Sequence, residues 1–273
     1  MRLRANAKIN LSLKVLGLRP DGFHALDSVM QSVSLYDVIT LTKIPAGIEL
    51  TTNNLRLPVN AKNLAYRAAE VFFQEVGSRG QGVKIYLEKN IPLAAGLAGG
   101  SADAAAVLYG LNRLTAAGLA LADLLKLGEE IGSDVPFCLT GGNCTVRGRG
   151  ELVIRNTLNA TRAYVLVTPD VEVPTKWAYE AWDAMTNDKL KMTNEGKNDL
   201  EPVVVKKYPV IQKVKDRLKE LGCGFTQMSG SGPSVFGVVS SSDQGGRIVA
   251  EIKKEYPRAF LVNSVERGVE EIG

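Results

Sequence analysis

The clearest alternation of hydrophobic and polar positions lies near the start of the chain, in the stretch AKINLSLKVLG at residues 7–17. Ile9, Leu11 and Leu13 alternate there with polar residues, which is the period of a strand with one buried face. The pattern therefore predicts a strand. It places Lys8 and Asn10 together on the face opposite the core.

Other segments of the first half carry either the strand or the helix period. The sequence predicts strands at 28–41 and 83–91, a hairpin at 143–154, and helices at 63–77, from Ala104 onward and at 121–132. The stretch RPDGFH, residues 19–24, is typical of a turn, because its proline fixes one backbone angle and its glycine supplies a left-handed position.

The second half alternates in the order strand, helix, strand, strand, helix, strand. This is the split βαβ order, which can close as a domain of its own. One broken helix or two consecutive helices are predicted within it, with Pro202 and Pro209 at the breaks. A polar stretch at 157–161 indicates the boundary, so we expect a first domain at 1–158 and a second at 159–273.

Composition and charge narrow the class of protein. The 273 residues are 45% hydrophobic and 23% charged, with a net charge of +4. This small and scattered positive excess suits small anionic ligands and does not indicate nucleic acid binding. The chain shows neither an apolar stretch long enough to cross a membrane nor a signal-peptide pattern, so we expect a cytoplasmic protein.

The cysteines and the histidine exclude two kinds of site. Cys138, Cys144 and Cys223 lack the spacing of a disulfide framework, and with His24 as the single histidine a Cys/His zinc site is not expected. The chain has no nucleophile-elbow sequence for His24 to serve, which argues against a Ser-His-Asp hydrolase. Acid–base chemistry is therefore expected from a carboxylate or a lysine.

The stretch PLAAGLAGGSADAAA, residues 92–106, leads into a helix whose apolar positions share one face. A glycine-rich loop at a helix N-terminus exposes backbone N–H groups and the positive end of the helix dipole, which favour a phosphate. Close packing of small residues is the alternative, and the loop alone leaves both open. It matches neither a Walker A loop nor a dinucleotide fingerprint.

Two residues of this loop carry their own expectations. Ser101 is expected to be the N-cap of the helix, because a serine hydroxyl can accept from its first free N–H groups. Asp103 lies in the first turn, where a carboxylate suits the helix dipole but repels a phosphate unless it points away.

Three stretches in this order resemble the motifs of the GHMP kinase superfamily: AKINLSLKV at 7–15, PLAAGLAGGSADAAA at 92–106 and MSGSGPSVFG at 228–237. The resemblance implies an α+β fold of two domains. The N-terminal domain would be ribosomal S5 domain 2-like and would bind ATP, and the C-terminal domain would be ferredoxin-like.

RPDGFH, together with GSDVPF at 132–137, is similar to one branch of that superfamily. Its members phosphorylate the 2-hydroxyl of 4-diphosphocytidyl-2-C-methyl-D-erythritol, a cytidine-diphosphate-linked polyol, in non-mevalonate isoprenoid precursor biosynthesis. The resemblance thus implies ATP and Mg²⁺ as cofactors and this small molecule as partner.

The resemblance implies catalytic roles for Asp134 and Lys8. Asp134 matches the aspartate that takes the proton of the acceptor hydroxyl, and Lys8 matches the lysine that supports the charges beside it. From the residues alone, Asp134 is better explained as the N-cap of the segment that starts at Val135. Lys8 is better explained as a strand residue whose side chain faces solvent.

The resemblance also implies that the central loop binds the ATP phosphates. The residues that match are Pro92, Leu93, Ala94, Ala95, Gly96, Leu97, Ala98, Gly99, Gly100, Ser101 and Ala102. The family usually has glycine at position 98 and serine at position 102. We expect the methyl group of Ala98 to narrow the loop, and Ser101 to offer the hydroxyl for phosphate or Mg²⁺.

The implied contacts to the phosphoryl acceptor are Asn10, Phe23, His24, Thr175 and Tyr179. Phe23 and His24 would stack on the cytosine and read its polar edge. Tyr179 matches the second aromatic residue of that site, with Trp177 as the competing candidate. Without the resemblance, each residue also has an ordinary structural explanation. Asn10 would be a surface amide, His24 a residue bonded within its turn, and Tyr179 part of a helix core.

Two other functions remain open. Another small-molecule kinase of the superfamily, for mevalonate or homoserine, is opposed by RPDGFH and the second aromatic residue, because those substrates carry no base. A non-catalytic nucleotide-binding module is suggested by Ala98 and Ala102 and opposed by the presence of both Lys8 and Asp134.

Overall fold

The computed structural model describes residues 1–77, 81–157, 161–186 and 197–272. The elements of the first half are β1 (Arg2–Leu18), β2 (His24–Ile44), β3 (Ile48–Thr52), α1 (Leu64–Val76), β4 (Gly82–Glu88), α2 (Gly99–Thr115), α3 (Leu121–Ile131), α4 (Val135–Thr140), β5 (Asn143–Gly148) and β6 (Leu152–Arg155).

The elements of the second half are β7 (Ala163–Val167), α5 (Thr175–Thr186), α6 (Glu201–Lys207), α7 (Val210–Glu220), β8 (Thr226–Met228), β9 (Val235–Val239), α8 (Ser242–Ile252), β10 (Ala259–Asn263) and β11 (Val269–Ile272). The predicted break at Pro209 is confirmed, since Tyr208 and Pro209 separate α6 from α7. None of the helices within the described ranges is both long and apolar enough to span a membrane.

The first sheet is built on the long antiparallel pair of β1 and β2. Its strands follow the order β11, β1, β2, β4, β3, with β5 paired to β2 and β6 to β5. One face packs on α1, α2, α3 and α4 around a core that contains Leu3, Ile39, Phe72, Leu108 and Phe137. The helix α2 lies at its centre, where alanines let the helix approach the strands closely.

The second sheet has the order β10, β7, β9, β8, with antiparallel neighbours throughout. Counted along the chain this is the order 4-1-3-2, so the predicted split βαβ arrangement is confirmed. Residues of its helices, such as Leu218 and Ile252, pack with Val165 and Val235 of the strands in a core of their own.

The strand β11 returns to the first sheet, where it covers the outer edge of β1. Ala5 pairs with Val269 and Arg2 with Ile272. The predicted second domain, 159–273, therefore contributes its last strand to the sheet of the first. The predicted boundary between residues 158 and 159 lies outside the described residues and stays a prediction.

The outward face of β1 is covered rather than solvated. Lys8 is 4% exposed and Asn10 is fully buried, so the interpretation of Lys8 as a solvated strand residue is wrong. The cause is the second sheet. Gln227 of β8 donates to the Asn10 carbonyl oxygen at 3.0 Å, and the Asn10 N–H donates to the Ser229 hydroxyl at 3.2 Å.

The backbone of the loop before α2 is in direct contact with the backbone of the turn after β8. Gly96 has a φ of 72°, and a Cβ built on it would lie 2.3 Å from the Ser229 carbonyl oxygen and 2.9 Å from that of Gly232. Such distances leave no room for a side chain. Glycine at position 96 therefore lets the two halves of the molecule approach.

We expect Gly96→Ala to destabilise the protein more than Gly118→Ala does. Gly118 has nearly the same φ, 74°, but no atom lies within 4 Å of its added Cβ, so its variant carries backbone strain alone, about 1–2 kcal/mol. Gly96→Ala adds an overpacking cost of about 1–3 kcal/mol. Urea unfolding measures both free energies, and equal losses would contradict the contact.

Candidate functional site

A cavity of about 950 Å³ lies between the two halves of the molecule. It is lined by the predicted site residues Lys8, Asn10, Phe23, His24, Pro92, Leu93, Ala94, Ala95, Gly96, Leu97, Ala98, Gly99, Gly100, Ser101, Asp134, Thr175 and Tyr179. The fold thus brings together residues that lie up to 171 positions apart in the sequence. Ala102 is absent from this lining.

The N-terminus of α2 opens onto the cavity. The helix begins at Gly99, after Ala98 in the left-handed conformation with a φ of 56°. Its first backbone hydrogen bond runs from the Ala102 N–H to the Ala98 carbonyl oxygen, at 2.8 Å. The N–H groups of Gly99, Gly100 and Ser101 precede that bond and have no acceptor within the helix. They form a backbone cradle of the kind that binds phosphate.

Two expectations for this loop are wrong. Ser101 is not the N-cap, because the left-handed Ala98 already ends the loop and places Ser101 inside the first turn. Ala102 does not face the cavity, because its side chain is fully buried in the core below α2 and its N–H is bonded within the helix. A serine hydroxyl at position 102 would meet that core.

The methyl group of Ala98 packs against the same core. The difference between this alanine and the family's glycine therefore lies in backbone strain, because a left-handed φ costs an alanine about 1–2 kcal/mol and a glycine nothing. The loop adopts the left-handed conformation with alanine at position 98.

Asp103 points away from the cradle, which removes the expected repulsion of a phosphate. Its carboxylate and that of Asp37 in β2 both accept from the ammonium group of Lys89, and all three side chains are at most 3% exposed. Burial raises the pKa of Asp103, and the nearby Asp37 carboxylate raises it further against the opposing effect of Lys89. Asp37 also accepts from the N–H groups of Asn90 and Ile91.

Lys8 and Asp134 lie side by side in the wall of the cavity. The Lys8 ammonium lies 3.8 Å from an Asp134 carboxylate oxygen, and it donates to Asn10 Oδ1 at 2.7 Å and to the Gly96 carbonyl oxygen at 3.0 Å. The Asp134 side chain is 31% exposed and caps no N–H group of α4. The interpretation of its side chain as an N-cap is therefore wrong, and its oxygens are open to the cavity.

Aromatic residues form another part of the wall. The His24 ring stacks on Tyr179 at a centroid distance of 4.8 Å, and its Nε2 lies 2.9 Å from an Asp183 oxygen. Burial raises the pKa of the Tyr179 hydroxyl. Phe23 is 48% exposed, with the Arg149 guanidinium 5.2 Å from its ring centroid.

Trp177 lies on a different side of α5 from Tyr179. It packs edge-on against Tyr208 at 5.5 Å, with the Lys207 ammonium 4.0 Å above its ring. Since Tyr179 lines the cavity and stacks with His24, the geometry favours Tyr179 over Trp177 as the second aromatic residue.

Thr175 links α5 to the turn after β8. Its hydroxyl lies 2.9 Å from that of Ser231, and α5 begins at Thr175 itself. Gly230, Ser231 and Gly232 of that turn line the cavity. Gly230 fits closely beside the catalytic candidates, because an added Cβ would lie 3.2 Å from the Lys8 ammonium.

The side chains offer little for a preformed metal site. In the part of the chain that the structure describes, no three His, Cys, Asp or Glu residues cluster so as to hold a metal ion. Cys138, Cys144 and Cys223 are buried free thiols. The Ser101 hydroxyl, at the cradle, is the group that could contribute to a magnesium ion held by phosphates.

Sequence reasoning missed Lys89 and Arg149, which also line the cavity. A signal was present for Lys89. Asp37 stands inside the apolar strand segment LYDVITL, and a carboxylate at a buried strand position needs a cationic partner. Arg149 carries no comparable signal, because arginines in hairpin turns are common on protein surfaces.

Comparisons with known proteins match both halves of the chain. The family model GHMP kinases N terminal domain matches residues 63–142, and the model GHMP kinases C terminal matches residues 183–258. A homoserine kinase from Cytophaga hutchinsonii, 23% identical, has the same fold with a TM-score of 0.76, covering 100% of this chain and 97% of that one. The chain belongs to the GHMP kinase family and has its two-domain α+β fold, and the family uses ATP as the phosphate donor.

More similar relatives narrow the comparison within that family. A protein of Syntrophomonas wolfei named 4-diphosphocytidyl-2-C-methyl-D-erythritol kinase is 40% identical over 280 residues, which cover 96% of this chain and 97% of the relative. A crystal structure of 4-(cytidine 5'-diphospho)-2C-methyl-D-erythritol kinase is 33% identical with a TM-score of 0.83, covering 97% of this chain and 100% of that one.

The raised pKa of Asp103 predicts a pH dependence of stability. Above pH 4, the folded protein keeps a proton on Asp103 that the unfolded chain releases, so this group's contribution to the free energy of unfolding falls as the pH rises. Asp103→Asn removes the contribution. We expect the wild-type free energy of unfolding, minus that of the variant, to decrease between pH 4 and pH 8 in urea titrations.

Asp170→Asn, at an exposed position, is the control. A difference between wild type and Asp103→Asn that rises with pH would contradict the raised pKa of Asp103.

A second expectation concerns Ala98→Gly. The variant relieves about 1–2 kcal/mol of left-handed strain and loses about 0.4–1 kcal/mol to a more flexible unfolded chain, so the free energy of unfolding should stay the same or rise, by at most about 1.5 kcal/mol. Ala184→Gly, at an exposed position within α5, should lose about 1 kcal/mol. If Ala98→Gly and Ala184→Gly lose the same free energy of unfolding in urea, packing of the Ala98 methyl group contributes more to stability than the left-handed backbone costs.

Proposed function

We propose that this kinase transfers the γ-phosphoryl group of ATP to the 2-hydroxyl of 4-diphosphocytidyl-2-C-methyl-D-erythritol. The observation that carries the proposal is one cavity that joins three features. These are the Lys8–Asp134 pair, the open N-terminus of α2 and the aromatic wall of His24 and Tyr179. The names of the full-length relatives support the same substrate.

In this proposal Asp134 is the general base. Its carboxylate takes the proton of the acceptor hydroxyl while the hydroxyl oxygen forms a bond to the γ-phosphorus, and the bond between that phosphorus and the bridging oxygen breaks to release ADP. Lys8, 3.8 Å away, stabilises negative charge that develops on the transferred group. The bonds of Lys8 to Asn10 and Gly96 fix its ammonium at that point.

The donor phosphates would lie at the N-terminus of α2. The N–H groups of Gly99, Gly100 and Ser101 and the positive end of the helix dipole favour a polyphosphate there. Asp103 is bonded to Lys89 and lies outside the cavity lining. This cradle fits the triphosphate of ATP. Mg²⁺ would supply charge neutralisation on the phosphates, with the Ser101 hydroxyl as its ligand from the chain.

The cytidine end would bind at the aromatic wall. His24 covers one face of Tyr179 in this structure, at 4.8 Å, and the Asp183 carboxylate orients its ring. A cytosine offers a π-face for stacking and a polar edge for hydrogen bonds. Phe23 and Arg149 extend this wall with a second ring and a positive charge. We expect the charge to suit the diphosphate of the substrate.

The competing functions fit the cavity less well. The substrates of a mevalonate or homoserine kinase carry no base to stack on the aromatic wall, and the homoserine kinase relative, at 23% identity, shows the fold alone. A non-catalytic nucleotide-binding module has no use for a lysine and a carboxylate held 3.8 Å apart beside the phosphate cradle.

We expect Asp134→Asn and Lys8→Ala each to lower turnover by about a hundredfold or more, the usual contribution of a general base. ADP release coupled to NADH oxidation measures turnover with ATP, Mg²⁺ and 4-diphosphocytidyl-2-C-methyl-D-erythritol. Asp216→Asn and Lys219→Ala, at exposed positions on α7, are matched controls and should keep wild-type turnover.

The same assay with mevalonate and homoserine decides the substrate. Activity on mevalonate or homoserine alone would overturn the proposed acceptor, and activity on none of the three would favour the binding module. A folded Asp134→Asn variant with near-normal turnover would overturn the role of Asp134 while leaving the substrate assignment standing.

A further inference from the structure

The segment just before β11 is wedged against α4. A Cβ built on Gly268 would lie 1.8 Å from the Cys138 carbonyl oxygen and 2.7 Å from its carbonyl carbon. A Cβ on Gly141, at the C-terminal end of α4, would lie 2.0 Å from the Gly268 nitrogen. Two backbones therefore touch at this point, and neither glycine has room for a side chain.

This contact is one helical turn away from Asp134. The Cys138 N–H donates to the Asp134 carbonyl oxygen at 3.1 Å. The helix α4 has six residues, Val135–Thr140, and so short a helix moves as one piece. A displacement of the Cys138 carbonyl group by Gly268 is therefore expected to shift Asp134 as well.

The same segment also holds β1 close to Lys8. The Asn6 N–H donates to the Gly268 carbonyl oxygen at 2.8 Å, and the Asn6 side chain donates to the Arg267 carbonyl oxygen at 2.9 Å. Asn6 is 3% exposed and lies two residues before Lys8 in β1. Gly268 thus touches both the strand that carries Lys8 and the helix that follows Asp134.

We propose that Gly268 is a positioning residue that sets the separation of Lys8 and Asp134 from outside the cavity. The proposal rests on the proposed function, in which this pair is catalytic. Gly268 and Asn6 do not belong to the cavity lining, so they act through the backbone positions of β1 and α4. We call residues 267–268 the brace, because they contact both β1, which carries Lys8, and α4, which follows Asp134.

The brace predicts a kinetic effect of Gly268→Ala. The added methyl group forces α4 away from the segment, and a misplacement of about 1 Å at reacting groups can cost up to a hundredfold in rate. We expect kcat to fall by about tenfold or more. The KM for ATP should change by less than about twofold, because neither Gly268 nor Cys138 lines the cavity that holds the cradle.

A matched variant separates positioning from lost stability. A Cβ on Gly82 would lie 2.4 Å from the backbone of Ala46 and of Gly47, at the end of β4 remote from Lys89. Gly82→Ala therefore creates a comparable backbone clash without a path to the pair. It should lower the melting temperature and keep kcat at a temperature where the protein is folded.

Asn6→Ala provides a second test if Gly268→Ala does not fold. It keeps the backbone bond to Gly268 and removes the side-chain bonds to the Arg267 carbonyl oxygen and to the Glu270 carboxylate, so we expect kcat to fall by about threefold or more with the KM for ATP retained. Wild-type kcat in folded Gly268→Ala or in Asn6→Ala would overturn the brace, and so would an equal loss in Gly82→Ala. Asp134→Asn is assayed beside them: if it retains turnover, the proposed catalytic pair fails; if it alone loses turnover, only the brace fails.

Discussion

The carbonyl oxygen of Gly96 is the point on which the rest of the site depends. It accepts from the Lys8 ammonium and from the Ser229 hydroxyl, each at 3.0 Å. One backbone atom thus joins a strand of the first sheet, the loop before α2 and the turn of the second sheet. A side chain at position 96 would clash with the Ser229 and Gly232 backbone, so the contact between the loop that holds Lys8 and the turn of the second sheet requires glycine there.

Local patterns predicted much of this architecture. Alternation at Ile9, Leu11 and Leu13 located β1, and the run of small residues at 92–106 located the loop and the helix after it, since strand and helix periods depend on near neighbours. The burial of Lys8 and Asn10 could not be predicted this way. It results from distant partners, Gly96 for the Lys8 ammonium and Ser229, 219 residues beyond Asn10, for the Asn10 N–H, and no local pattern records them.

Positions within a turn were equally hard to predict. Ser101 has the chemistry of an N-cap, but the helix starts two residues earlier because an alanine adopts a left-handed φ that sequence rules reserve for glycine. Tyr179 and Trp177 are two residues apart, so they lie about 200° apart around α5. A single sequence could not tell which of the two sides faces the cavity, and the second sheet decides it.

The pairing of β11 with β1 has a consequence for synthesis. Ala5 leaves the ribosome 264 residues before its partner Val269, and at about 5–20 residues per second that interval is on the order of ten seconds or more. Throughout it the nascent strand that bears Lys8 presents an open edge, of the kind that recruits foreign strands. Protection of this edge by a chaperone or by the ribosome surface during that interval would therefore limit aggregation of the nascent chain.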